Sequence, residues 1–206
     1  MLLYGHQIVL KLTGSNELNR TYIFISETFL WVAQLFNYGY CALIEKWGIL
    51  AYTEIQYDLW KHIKQISAIL AVTLALMIPI VLFLNLFGLM KESPRAIEIK
   101  RILQANRPLL FYTSFTAAVT EELIFRGYIF SRLDFILQNE NKAIVVSSIL
   151  FGLLHFGYGT IINMVFPMVF GGVLSFYYWK YRNIAIPIIS HFLWDFVSFS
   201  LTIKPH

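Results

Sequence analysis

The sequence predicts an all-α fold: a polytopic transmembrane helix bundle of about six spans. Composition is the first reason. Of the 206 residues, 58% are hydrophobic and only 14% are charged, where a soluble domain is about a quarter charged. Such a chain cannot dress one water-soluble globule in polar surface, and its mean hydropathy of +0.63 agrees. The second reason is placement, because the apolar residues fall in long runs bounded by charge. The third is what is missing. Cys41 is the only cysteine, which excludes a disulfide-stapled secreted domain, and the apolar content excludes disorder and a collagen-like fibre. A net charge of +4 with no dense Lys/Arg run points away from nucleic acid.

The elements follow in order. Residues 1–20 are mixed, with Lys11, Glu17 and Arg20, and lack the pattern of a cleavable signal peptide. Residues 21–44 are apolar and aromatic with only Glu27 inside, which predicts a first span. In 45–64 charges alternate with Trp47, Tyr52, Tyr57 and Trp60, a pattern suited to the headgroup level. Residues 66–90 are the cleanest span, 25 residues without a charge; Pro79 inside them is tolerable where neighbouring helices re-satisfy the backbone. A polar linker, 91–107, carries five Lys/Arg and Pro94. Four more apolar segments follow at 109–133, 142–156, 160–180 and 184–203. The third of the six spans to come from this count, 109–133, opens a second region, so the chain divides into an N-terminal membrane region, 1–107, and a helix bundle, 108–203. The 142–156 segment is short for a crossing and is expected to stop part-way. Basic charge on the 91–107 linker places both chain ends on the inner side.

The informative residues are ionisable groups inside apolar segments. A charge at mid-membrane costs about 2.5–3.5 kcal/mol even on lenient scales, so such residues face a protein interior and mark function. Here they are Glu121, Glu122 and Arg126 in VTEELIFRG (119–127), His155 in FGLLH (151–155), and His191 and Asp195 in HFLWD (191–195). Residues 108–203 hold twelve Asp, Glu, Lys, Arg and His side chains, and these motifs take six of them. Glu122 and Arg126 stand at i,i+4 with the acid first, which suits an intrahelical ion pair. Neighbours on a helix diverge by about 100°, so Glu121 points elsewhere and is left without a local cation. A buried carboxylate of that kind is a candidate general base, with His155 and His191 nearest to share a water or a metal with it.

For Glu122–Arg126 a structural ion pair is the simpler role than direct chemistry, and Phe151 reads as a core residue beside His155. Other catalytic patterns do badly. There is no His-Glu-x-x-His and no Gly-x-Ser-x-Gly. Ser190 diverges from its neighbour His191, and Cys41 lies in the other half of the chain. Gly171 and Ser175 form a small-xxx-small pair for close helix packing. Spacing and composition alone leave an ion-coupled transporter and a hydrolase both open.

The set Glu121-Glu122-x-x-x-Arg126, Phe151-x-x-x-His155 and His191-x-x-x-Asp195 resembles the three-motif signature of the CPBP family. These are the CAAX proteases and bacteriocin-processing (Abi) intramembrane metalloproteases. The resemblance implies a membrane endopeptidase of the bacterial cell membrane, acting in bacteriocin self-immunity or peptide maturation on a peptide or membrane-protein substrate. A non-enzymatic immunity or binding protein is the alternative from another class. By the same resemblance Glu121 is the base and activates water with His155. His191 and Asp195 stabilise the oxyanion or help hold a metal, while Glu122 and Arg126 brace the site. Glu121, His155, His191 and Asp195 are then the candidate ligands of a divalent ion such as zinc. One position departs from the CAAX endopeptidase, which typically has asparagine where this chain has Asp195. A carboxylate donates only when protonated, and this favours the metal role of position 195 over the oxyanion role.

Overall fold

The computed structural model describes residues 18–201. The reading of the first seventeen residues, Lys11 and Glu17 included, and the end of the last span at 202–203 lie outside them. Among the described residues there is no strand. The helices are α1 Arg20–Tyr40, running into a π turn at Cys41–Glu45; α2 Leu59–Leu86; α3 Pro94–Gln104; and α4 Arg107–Glu122. The last of these continues as a π-helix, Leu123–Phe130, into α5 Ser131–Leu137. Then come α6 Glu140–Leu153, a 3-10 turn at Phe156–Tyr158, α7 Ile162–Tyr181 and α8 Ala185–Ser200.

Helix starts are written in the sequence. Asn19, Asp58, Ser93, Asn106 and Asn139 each accept a hydrogen bond from the backbone N–H three residues on, at 2.7–3.4 Å. A cap of this kind is worth about 1 kcal/mol. Helix ends at Lys46, Gln138 and Arg182 are closed by a residue in the left-handed region.

Among the described residues three helical segments are long and apolar enough to cross a membrane: Leu59–Leu86, Glu140–Tyr158 and Ile162–Tyr181; Ala185–Ser200 is apolar but has 16 residues. The 142–156 segment thus gains length, because the backbone starts at Glu140 and carries on through the 3-10 turn. The supposed linker 91–107 is helical in large part. Ile99 and Leu103 of α3 pack with Tyr22, Ile23, Leu109 and Leu110 in one buried cluster, so its apolar face serves the core. The 109–133 run is divided between α4, the π-helix and α5.

Polarity is arranged inside out. On α1, Ser26, Glu27 and Gln34 are buried while Leu35, Phe36, Leu43 and Ile44 near its end stand exposed. On α2, Leu74, Leu82, Phe83 and Leu86 face outward. This is the packing of a bundle whose solvent is lipid. Helices α4 and α8 pack together, α1 lies on α4, α6 on α7, and α2 across α7 and α8.

The 46–58 segment stitches one end of the bundle. Glu54 accepts from the Tyr178 hydroxyl at 3.1 Å and from the Ile184 N–H at 2.6 Å, and Asn183 donates to the Ile55 carbonyl. Tyr52 donates to Asp134, and the Arg182 guanidinium lies 3.3 Å above the Tyr52 ring. Arg132 reaches Glu45 at 2.7 Å and holds its carboxyl below the usual range.

Candidate active site

The site begins where α4 changes winding. Thr113, Ser114, Thr116 and Thr120 are buried along α4, small enough to let α1 and α8 come close. Beyond Glu122 the backbone turns π-helical, a rare winding that concentrates at functional sites. Within it Arg126 is fully buried. Its Nη1 donates to Glu122 Oε1 at 2.8 Å, its Nη2 donates to the Gly171 carbonyl at 2.9 Å, and its plane lies 4.7 Å from the Phe151 ring centre. Position 171 has little room for a side chain: a Cβ there would stand 2.9 Å from Phe151 Cδ1 and 3.1 Å from Arg126 Nη2. Gly171 therefore lets α7 deliver a backbone acceptor to a buried cation.

Glu122 Oε1 is shared. His191 Nδ1, on α8, approaches it at 2.7 Å. A carboxylate only accepts, so Nδ1 carries a proton and donates. The other ring nitrogen, Nε2, stands 3.5 Å from Asp195 Oδ2. The ring is further seated by Phe170 and Phe151, both meeting it edge to face at 5.4 and 6.1 Å. Glu122 and Arg126 thus orient His191, as a carboxylate behind a catalytic or ligating histidine does.

His155 sits just past α6. Its Nδ1 lies 2.9 Å from the Phe151 carbonyl oxygen, an acceptor, so Nδ1–H donates and Nε2 keeps its lone pair. Phe151 is more than core filling. Its carbonyl sets the tautomer of His155, and its ring meets His155 at 5.2 Å and carries the Arg126 cation.

Glu121, His155, His191 and Asp195 all line one cavity of about 270 Å³, together with Glu27, Phe151, Tyr158, Asn163, Phe166, Pro167, Phe170 and Trp194. Glu122 does not line it. The adjacent glutamates therefore divide, Glu121 toward the cavity and Glu122 toward Arg126 behind it. Ser190 Oγ donates to the Ile186 carbonyl at 2.8 Å, and neither it nor Cys41 lines the cavity. Sequence reasoning missed Glu27, Tyr158, Asn163 and Trp194 as wall residues. Only Glu27 carried a signal, as the lone charge in its span.

Among the described residues no three His, Cys, Asp or Glu side chains converge closely enough to hold a metal ion. Glu121, His155, His191 and Asp195 share walls of the cavity without forming a ready cage.

Residues 104–197 match the family model of type II CAAX prenyl endopeptidase Rce1-like proteins. That segment, a little under half of the chain, contains all three motifs, and the match supports the resemblance to the CAAX proteases. A curated relative is YdiL of Bacillus subtilis (strain 168), provisionally named a membrane peptidase. It is 26% identical over 119 residues, which cover 58% of this chain and 47% of YdiL. The chain spans about half the length of that relative. No solved structure matches the chain.

Proposed function

We propose that the chain is an intramembrane peptide hydrolase that activates water with Glu121 and His155. The observation that carries it is the meeting of Glu121, His155, His191 and Asp195, from three separate helical segments, on one cavity. Glu121 takes a proton from the water, and His155 Nε2 accepts the second hydrogen and aims the oxygen. The resulting hydroxide attacks the scissile carbonyl carbon. When the C–N bond breaks, Glu121 returns its proton to the leaving amine. General acid–base catalysis of this kind supplies roughly 10²- to 10⁴-fold. His191, set between the Glu122 and Asp195 carboxylates, carries protons on both ring nitrogens and turns Nε2–H toward the developing oxyanion. The aromatic walls suit an apolar peptide or a segment of a membrane protein. Maturation or destruction of such peptides in a bacterial cell membrane, including bacteriocin self-immunity, is the role that the resemblance to the CPBP proteases suggests.

The test is cleavage by purified protein in proteoliposomes, read by mass spectrometry. Glu121→Gln and His155→Ala are each expected to lose at least about 10² in kcat/KM. Full cleavage by both inserted variants overturns the mechanism. Protection of cells by Glu121→Gln equal to wild type favours a binding protein, and substrate uptake without cleaved product favours a transporter. Loss of cleavage on chelation that zinc restores places a metal beside the water-activating pair, and cleavage that survives chelation assigns the step to Glu121 and His155 alone.

A further inference from the structure

Glu27 is not part of the three motifs, yet it lines the same cavity, on α1. It is 2% exposed, and its Oε2 is buried with no hydrogen-bond partner. A buried carboxylate oxygen left unpaired is costly and persists where a ligand completes it. The cavity wall holds three carboxylates, Glu27, Glu121 and Asp195, and no lysine or arginine. Among the described residues the one buried guanidinium, Arg126, is committed to Glu122 and the Gly171 carbonyl. On α3, Arg95 gives Nη2 to the Tyr22 hydroxyl at 3.2 Å. An ammonium or guanidinium donor would complete the unpaired Glu27 oxygen with a charge-assisted hydrogen bond. Phe166, Phe170 and Trp194 surround the acids, and aromatic faces beside carboxylates suit an alkyl stem that ends in a cation.

We propose that Glu27 is a specificity residue that binds an ammonium or guanidinium group of the substrate, foremost a lysine or arginine side chain beside the scissile bond. This rests on the peptidase reading above. It divides the labour of the cavity: Glu121 faces the reacting carbonyl, and Glu27 anchors the neighbouring side chain from α1. A free peptide amino terminus offers the same ammonium, so the two sources need separate probes.

The experiment measures binding of uncleavable reduced-amide peptides to the detergent-solubilised full chain. Two N-acetylated peptides differ only in lysine or norleucine next to the reduced bond; a third has a free amino terminus and no lysine. Wild type is expected to bind the lysine peptide about tenfold more tightly than the norleucine peptide, the scale of one charge-assisted hydrogen bond. In Glu27→Gln that ratio is expected to fall to about one, while Glu27→Asp keeps most of it because the charge stays. Tighter binding of the third peptide that is lost in Glu27→Gln assigns the ammonium to a substrate amino terminus. An unchanged ratio in Glu27→Gln, or equal binding of lysine and norleucine by wild type, overturns the assignment. Equal binding by wild type overturns the assignment even if a variant fails to fold, and Glu27→Asp is the second variant should Glu27→Gln not fold. Cleavable versions separate the two ideas: hydrolysis indifferent to lysine sinks the role of Glu27 alone. A Glu27-dependent lysine preference without hydrolysis sinks the peptidase reading alone.

Discussion

Arg126 shows how much one side chain organises. It is a cation with no solvent, held by one carboxylate, one carbonyl and one aromatic face, while its Nε and Glu122 Oε2 find no partner. A pair like this gains little over an apolar substitute, but removing one member strands the other charge at a cost of about 3–5 kcal/mol. Arg126→Met is therefore expected to unfold far more readily than wild type, and Arg126→Met combined with Glu122→Gln to recover much of the loss. Chemical unfolding in detergent measures both, and an additive double variant would show that the two residues are not coupled. The double variant is expected to be inactive, because His191 loses its anionic partner at Nδ1. This pair was legible in the sequence because it is local: i,i+4 spacing names the partner without any knowledge of the fold. Glu27 was visible as a lone charge in its span, but its meeting with Glu121, 94 positions later, is a fact of tertiary packing that no spacing rule encodes.

At the scale of elements, the seam between α6 and α7 holds the site's depth. A Cβ on Gly152 would stand 2.7 Å from Met168 Cβ and 2.8 Å from the Met164 carbonyl oxygen, so backbone meets neighbouring helix almost directly. The sequence pattern of small residues announces close packing, but it does not say that Gly171 also opens a carbonyl to Arg126. Gly171→Ala is expected to cost about 1–3 kcal/mol, the usual range for overpacking, and to depress kcat by tilting Arg126, Glu122 and His191 together. Gly39→Ala on α1 is the comparison, because a Cβ there meets nothing within 4 Å. A gain of up to about 1 kcal/mol from helix propensity is expected in its place. Melting temperatures and cleavage rates of the two variants decide, and equal behaviour would remove the special role of position 171. The π-helix Leu123–Phe130 and the helical character of α3 are the elements that sequence missed. An apolar run looks alike in α and π winding, and the five basic residues of 91–107 mask the Ile99–Leu103 face that packs into the core.

For the whole molecule, the same scarcity of charge has two consequences that must hold together. The outer face is apolar because the surrounding medium is, and the inner face can then afford acids and histidines because helices screen them from that medium. Residue types were legible at this scale from composition alone; which face each would occupy was not, since the long apolar helices carry apolar residues all round. Position 74 separates lipid from water as the outer solvent. Leu74 lies near the middle of α2 and is 55% exposed. On a water-facing helix Leu74→Lys would be worth within about ±0.5 kcal/mol. In lipid it is expected to cost about 2.5–3.5 kcal/mol, seen as reduced insertion and loss of carbonate-resistant membrane fraction. Lys at Leu59, which is 75% exposed but at the first turn of the same helix, reaches the headgroups by its flexible stem and is expected to insert normally. If Leu74→Lys inserts as well as Leu59→Lys, α2 does not run through a bilayer at that depth, and the exposed apolar belt must be covered by protein instead.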